Sequence, residues 1–399
     1  MQKLAIDGGA PIRTNKISYG RQWIDESDVE AVSDALKSDY LTCGPKTKEA
    51  EKDLADYCGA KYAVLMNSDT SALHCACMAA GVGPEDEVIT TPITFAASAN
   101  CALYCGAKPV FADIDPETYN IDPLKIEEKI TAKTKAIIAV DYTGQVVDMK
   151  KIRKICDKYN LILIEDAAHS IGSAYDGKKV GNLAADMTCF SFHPVKTITS
   201  CEGGAVVTNN EELYKKAVLA HAHGITHEFE DMNKSHRDEP WYYEMQTIGY
   251  NYRITDVQSA LLISQLNKLD TFGKRRKEIV DKYNEAFKNI PELILQKNIP
   301  ESDTVRHLYV LQLNLDKLKC DRLQFFNAMA AEGIGCQVHY IPVYWFPYYQ
   351  KLGYKKGLCP VAEKLYERII SIPLFPKMSD NDVDDVIRAV KKVINNYKK

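Results

Sequence analysis

Three short segments place reactive side chains where a protein can use them. Asn67-Ser-Asp-Thr-Ser71 sets small hydroxyl residues directly before the helix-like run Ala72-Leu-His-Cys-Ala-Cys-Met-Ala-Ala80. Such a helix opening offers unpaired backbone N–H groups and the positive end of the helix dipole, which together bind phosphate; the same residues also make an ordinary N-cap. Glu165-Asp166-Ala-Ala-His169-Ser170 follows an apolar run, so an acid ends a strand and a histidine stands three residues beyond it. That pair can hold a cationic heterocycle and hydrogen-bond its substituent, or Asp166 can cap a helix. Lys196, in Ser191-Phe-His193-Pro-Val-Lys196, lies between an apolar strand and the Gly203-Gly204 turn. Desolvation there lowers a lysine's pKa and turns its amine into a nucleophile.

A phosphate cradle, an acid 30 residues before a strand-end lysine, and a Gly-Gly turn are together the parts that hold pyridoxal 5′-phosphate (PLP). In this reading the cradle anchors the phosphate, Asp166 keeps the ring nitrogen protonated so that the ring is an electron sink, and Lys196 forms the Schiff base.

The elements that must position these groups are legible between about residues 60 and 210, where short β-rich runs alternate with helical patterns. That alternation predicts a mostly parallel sheet, with ligands at the carboxyl ends of its strands. Expected strands are Tyr62–Met66, Glu87–Thr90, Pro109–Ala112, Ala136–Val140, Leu161–Ile164, Thr188–Phe192 and Ala205–Thr208. Several are apolar at successive positions, as strands covered on both faces must be. Val29, Val32 and Leu36 mark one amphipathic helix, and Ala50, Leu54 and Tyr57 a second. Asp122-Pro123 and Asp148 start further helices. Thr255-Asp256 opens a helical pattern that passes Gly273 and continues to about Phe287. Downstream, Pro291, Pro300 and the strand-like run His307–Leu313 indicate a smaller α+β unit, closed by a helix from Asp382 to about Tyr397. The expected organisation is an N-terminal arm (1–24), a large α/β domain with a seven-stranded, mostly parallel sheet (25–270), and a small α+β domain (271–399).

Composition narrows the function. The 399 residues carry 50 Lys plus Arg against 54 Asp plus Glu, a formal charge of −4, which provides no basic field for nucleic acid. No apolar run approaches the roughly 18 residues that cross a bilayer, and Met1-Gln-Lys-Leu-Ala-Ile-Asp7 is not a signal segment. A cytoplasmic protein is therefore expected, with no nucleic-acid and no membrane partner. The 12 cysteines are scattered singly through apolar stretches, as buried thiols are in a reducing compartment. Neither Cys75-Ala-Cys77 nor His221-Ala-His223-Gly-Ile-Thr-His227 has the remaining ligands of a metal site, so no metal is expected. Glu228 to Trp241, with Lys234, Arg237 and Asp238, is polar enough to be an exposed loop, either a solvated insertion or a lid. Tyr344-Trp-Phe-Pro-Tyr-Tyr349 is expected to pack in a core or a dimer interface.

Seven segments, in order, resemble the DegT/DnrJ-type nucleotide-sugar aminotransferases of PLP fold type I: Leu41-Thr-Cys-Gly-Pro45, Thr91-Pro-Ile-Thr-Phe95, Glu165-Asp-Ala-Ala-His-Ser170, Ser191-Phe-His-Pro-Val-Lys196, Glu202-Gly-Gly204, Ile248-Gly-Tyr-Asn-Tyr-Arg253 and Gln337-Val-His-Tyr340. The resemblance covers nearly the whole chain. It implies that Lys196 carries the Schiff base, Asp166 pairs with the ring nitrogen, Phe95 lies against the ring face and His169 sits near the phenolic oxygen. Ser68, Asp69, Thr70 and Ser191 would surround the phosphate, and Asn251 would reach the cofactor of a neighbouring subunit, making the site a property of a homodimer. Sugar-nucleotide contacts would come from Tyr19, Asp39, Tyr40, Leu41, Thr42, Arg253, Gln337, His339 and Tyr340. Asp69 departs from the family, which usually has a small residue there.

Within the family, His169, the Thr-Thr-Pro-Ile-Thr-Phe segment and Gln-Val-His-Tyr resemble members that use L-glutamate to aminate C4 of a UDP-linked 4-keto-6-deoxy-N-acetylhexosamine, in pseudaminic acid biosynthesis. Another keto-sugar, aminated at C3 or C4, and a non-catalytic member that only binds PLP or a sugar nucleotide are the alternatives. Sugar dehydratases of the same fold have His where Lys196 stands.

Overall fold

The computed structural model describes residues 2–232 and 239–399. Its centre is a seven-stranded sheet: β1 (Tyr62–Met66), β2 (Glu87–Thr90), β3 (Lys108–Phe111), β4 (Thr134–Val140), β5 (Ile162–Asp166), β6 (Met187–Ser191) and β7 (Gly204–Thr208). The spatial order is β1-β7-β6-β5-β4-β2-β3. Strands β3, β2, β4, β5 and β6 run parallel, while β7 is antiparallel to both β6 and β1. Strands β2, β5 and β6 are buried almost throughout, in keeping with the consecutive apolar residues Val88-Ile89, Ile162-Leu-Ile164 and Cys189-Phe190 within them. Tyr62–Met66 and Glu87–Thr90 coincide with the expected strands, and the other five differ by one or two residues at one or both ends.

Helices cover both faces: α1 (Glu26–Lys37), α2 (Pro45–Cys58), α3 (Asp69–Ala79), α4 (Ala97–Tyr104), α5 (Pro123–Glu127), α6 (Met149–Tyr159), α7 (Glu211–His221) and α8 (Asp256–Leu266). Asp122 and Asp148 cap α5 and α6, and Thr255 forms a capping box with Gln258 at α8. Two expectations need correction. Val29 and Leu36 of α1 are 52% and 59% exposed, because the inward stripe is Asp28 and Ala35. Asp28 accepts from Ser264, Gln265 and Lys268, so a polar residue anchors this helix to α8 and the turn after it. The helical pattern after Thr255 is also not continuous. It breaks at Asn267–Lys268, where the Lys268 ammonium lies 2.5 Å from Asp25 and 2.8 Å from Asp28, and restarts as α9 (Leu269–Phe287).

Beyond α9, an antiparallel sheet of β8 (Leu293–Leu295), β9 (Tyr309–Leu313) and β10 (Ile369–Ile372) packs with α10 (Arg322–Ala331), α11 (Pro347–Lys351), α12 (Pro360–Arg368) and α13 (Asp380–Tyr397). The expected strand at His307 begins two residues later, and the last helix two residues earlier, capped by Ser379. Tyr344 and Tyr349 are buried against Phe111, joining this unit to the edge of the large sheet, while Tyr348 is exposed. The N-terminal segment returns to the C-terminal unit, where Leu4 and Ile17 enter its core. All 12 cysteines are free; Cys43 and Cys201 are exposed. Among the described residues no helix is long and apolar enough to cross a membrane. The expected loop at 228–241 forms a short helical turn at Phe229–Asp231, and Lys234, Arg237 and Asp238 lie outside the described residues.

Candidate active site

The parallel strands deliver their carboxyl ends to one cavity of about 370 Å³. A larger cleft of about 710 Å³ lies near the opposite ends of β2 and β3. Its charged lining includes surface pairs such as Glu87–Lys108 (3.1 Å), and it lacks a desolvated nucleophile. The chemistry is therefore in the smaller cavity, at the strand ends where open α/β sheets bind ligands.

Strand β1 feeds α3 through Ser68, whose Oγ accepts from the Ser71 N–H at 3.2 Å; Ser71 in turn donates to Asn67 at 2.5 Å. This arrangement fixes the first turn with backbone N–H groups pointing into the cavity beside Ser68, Asp69 and Thr70. Strand β7 passes so close that a Cβ on Gly204 would stand 2.4 Å from the Asp69 nitrogen. Glycine is required there by contact with the cradle itself.

At the end of β5, Asp166 is buried and accepts from Ser98 Oγ at 2.6 Å and from the Ala168 N–H at 3.2 Å. Ser98 comes from α4 and is also 2.6 Å from Thr94. Burial raises the Asp166 pKa, and the two donors and Lys196 oppose that rise. Past the end of β6, a turn in which the Lys196 N–H donates to the His193 carbonyl brings the Lys196 side chain into the cavity with Ser191. Desolvation holds the Lys196 ammonium below its usual pKa, against the pull of Asp69 and Asp166.

The opposite wall comes from the C-terminal unit and the N-terminal arm. His169 Nε2 lies 3.1 Å from the Tyr340 hydroxyl, and its ring is 4.6 Å from that of His307. His339 Nδ1 is 2.9 Å from Ser371, its ring is 5.2 Å from Tyr19, and the Tyr142 hydroxyl donates to its carbonyl. Desolvation pushes His169 and His307 well below the ordinary imidazole value and His339 down to about 4, so this wall is neutral. Phe95 is 63% exposed, with its ring 6.4 Å from Tyr340.

Of the residues singled out from sequence, Lys196, Asp166, His169, Ser68, Asp69, Thr70, Phe95, Ser191, Tyr19, His339 and Tyr340 line this one cavity. Asp39, Tyr40, Leu41, Thr42, Asn251 and Arg253 do not. They form a separate outer strip, where Thr42 bridges to Thr255, Met66 to Arg253, and Asn67 Nδ2 donates to the Asn251 carbonyl at 3.4 Å. Gln337 is exposed and pairs through its backbone with Ser371, also outside the cavity. Ser98 and His307 line the site yet were not singled out: Ser98 reaches Asp166 only through the packing of α4, and His307 was assigned to a strand.

The model of the DegT/DnrJ/EryC1/StrS aminotransferase family matches residues 22–391. The UDP-4-amino-4,6-dideoxy-N-acetyl-beta-L-altrosamine transaminase of Campylobacter jejuni is 42% identical over 386 residues, 96% of this chain and 99% of that protein. Helicobacter pylori PseC, an aminotransferase involved in pseudaminic acid biosynthesis, superposes with TM-score 0.88 at 34% identity over 96% of this chain and all of that one. The Streptococcus pneumoniae putative sugar aminotransferase Spr1654, in its PLP form, superposes with TM-score 0.86 at 32% identity over 96% of this chain and 99% of that one.

The cavity fits PLP. Its cradle of Ser68, Asp69 and Thr70 opens α3 against Gly204, a hydrogen-bonded acid stands at the end of β5, and the lysine amine is desolvated. Asp69 is the exception, because its Oδ1 is occluded and unpartnered within the cradle.

Proposed function

The chain belongs to the DegT/DnrJ/EryC1/StrS aminotransferase family, and from that premise we propose that it moves an amino group from L-glutamate to the C4 keto group of a UDP-linked 4-keto-6-deoxy-N-acetylhexosamine. The observation that carries this reading is the meeting of Lys196, Asp166 and the α3 cradle in one cavity walled by neutral imidazoles and Tyr340.

The enzyme is PLP-dependent, and the bound cofactor supplies the electron sink for a carbon that loses its proton. The chain's residues supply the rest. The N–H groups opening α3, with Ser68, Thr70 and Ser191, bind the phosphate. Asp166, held by Ser98 and the Ala168 N–H, keeps a proton on the ring nitrogen. Phe95 and His169, which line the cavity, would pack against the cofactor ring and hydrogen-bond its phenolic oxygen, respectively. Lys196 would hold the cofactor covalently, and its amine would move the proton at the donor's α-carbon; desolvation favours the free amine that this requires. In the second half-reaction the same lysine returns a proton to the sugar carbon. Tyr19, His339 and Tyr340 face the sugar.

A homodimer in which Asn251, Arg253 and Asp39 to Thr42 serve the neighbouring subunit's cofactor and nucleotide gives the outer strip a role, since none of these residues lines the cavity of its own chain. Gln337 belongs with the nucleotide contacts at the rim.

The test is the near-ultraviolet and visible absorption of the protein loaded with PLP, followed on adding L-glutamate and then a UDP-linked 4-keto sugar. The visible band should disappear with glutamate and return with the keto-sugar, and should be altered in Lys196→Ala. A band indifferent to glutamate would remove that donor, and one restored equally by a 3-keto sugar would remove the C4 assignment. Asp166→Ala should be nearly as damaging as Lys196→Ala; near-normal turnover would refute the ring-nitrogen role.

A further inference from the structure

Asp166 stands at the end of a chain of hydroxyl groups that runs back into α4 and the loop before it. Ser98, in the first turn of α4, has its Oγ 2.6 Å from Asp166 Oδ2 and 2.6 Å from Thr94 Oγ1. All three side chains are buried, and all three line the cavity. Asp166 Oδ1 is held separately, by the Ala168 N–H at 3.2 Å.

Each hydroxyl has one proton to give, so the chain has two possible directions. In one, Thr94 donates to Ser98, and Ser98 donates to an ionised Asp166. In the other, a protonated Asp166 donates to Ser98, and Ser98 gives its own proton to Thr94 or to the Phe95 carbonyl, 3.3 Å away. Burial favours the protonated acid, so something must select the first direction. Thr94 does so. Among the described residues, Ser98 Oγ is the sole hydrogen-bond partner of the Thr94 hydroxyl, which therefore turns its proton toward Ser98. A Ser98 oxygen that already accepts from Thr94 is a poor acceptor for a carboxyl proton and a stronger donor to a carboxylate. A carboxylate paired with the PLP ring nitrogen leaves the proton on nitrogen. A carboxylic acid there would keep the proton and leave a neutral ring, a weaker electron sink.

We propose that Thr94 is a positioning residue for amino transfer: by donating to Ser98 it fixes the direction of the Thr94–Ser98–Asp166 chain, and so keeps Asp166 ionised and the proton on the ring nitrogen. This rests on the reading of Asp166 as the partner of that nitrogen. Thr94 touches neither the acid nor the reacting atoms, and acts through Ser98 alone. Phe95, its neighbour in the chain, also lines the cavity, so one short segment serves both the face and the nitrogen of the cofactor ring.

The experiment loads the full-length protein with PLP labelled with nitrogen-15 in the ring and reads the ring-nitrogen signal by solid-state NMR. Absorption of the bound cofactor confirms loading in each variant. The unsubstituted protein should show a protonated ring nitrogen. Thr94→Val keeps the side-chain shape without the hydroxyl and should move the signal toward the unprotonated position, whereas Thr94→Ser, which keeps a hydroxyl, should not. Ser98→Ala should move it at least as far as Thr94→Val. A fully protonated signal in Thr94→Val would overturn the proposal, as would a displaced one in Thr94→Ser. Asp166→Ala separates the proposal from the reading beneath it. If that variant keeps a protonated ring nitrogen, the role of Asp166 fails and the proposal with it; if it loses the proton while Thr94→Val retains it, the proposal alone fails.

Discussion

Buried charge is handled in opposite ways at two places in this molecule. In the C-terminal unit, Glu332 is fully buried, and both of its oxygens are occupied: Oε1 accepts from the Ala5 N–H at 2.9 Å, and Oε2 from the Ile12 N–H at 3.0 Å and the Lys392 ammonium at 2.8 Å. Lys392 also donates to the Ala10 carbonyl at 2.8 Å, so the pair fastens the N-terminal arm to α13. In the cavity, Asp69 Oδ1, His169 Nδ1 and His307 Nδ1 are buried without partners, and Lys196 is desolvated between two acids. Both oxygens of Glu332 have donors within the chain, whereas three buried polar atoms of the cavity have no partner there.

If this contrast holds, Lys196→Ala should lower turnover by about 10^4-fold or more without lowering the urea midpoint of the cofactor-free chain. A large loss of stability would mean that the lysine is a structural charge like Lys392.

Glu332→Ala should do the reverse. Stranding the Lys392 ammonium is expected to cost about 3–5 kcal/mol in urea unfolding, with the site chemistry intact in the protein that remains folded. A loss under about 1 kcal/mol would put the knot among surface ion pairs.

The pH dependence of the cofactor-free chain comes next. His339 has its pKa depressed from 6.5 to about 4 in the folded state, so below pH 6.5 protons bind preferentially to the unfolded chain. Its contribution is complete above pH 6.5 and is lost as pH falls toward 4, by about 3 kcal/mol. His169 and His307 act with the same sign. His339→Phe should flatten this slope in urea titrations; an unchanged slope would mean that the imidazole is already charged.

Asp69→Ala is expected to have the smallest effect. Removing an unpartnered carboxyl from the cradle should tighten PLP binding by about 10-fold, or ~1.4 kcal/mol, in equilibrium dialysis. Weaker binding would show instead that the carboxyl donates a proton to the phosphate.

What the sequence revealed depended on whether the signal was local. The sheet was legible because strands buried on both faces have few polar residues, and Thr255 and Asp148 announced helix starts through their own side chains. Lys196 and Asp166 stood out because a strand end is a sequence feature. The break at Asn267–Lys268 was not legible, since it is set by Asp25 and Asp28, more than 230 residues away. The same applies to the inward face of α1, to Ser98 and to His307: each depends on which helix or strand lies opposite. The separation of Asn251 and Thr42 from the cavity is also a product of tertiary folding, although their motifs were plain.

The wall that faces the cradle is assembled from the far end of the chain. Gln337 and Ser371 exchange backbone hydrogen bonds, Ser371 fixes the His339 ring, and the Leu374 N–H donates to the Tyr19 carbonyl. A polypeptide still emerging from the ribosome can build the sheet and the α3 opening, but it cannot place His339, Tyr340 and Tyr19 until residue 374 has been released. A chain that stops before Ser371 therefore yields a cradle whose facing wall lacks the contacts that hold His339 and Tyr19.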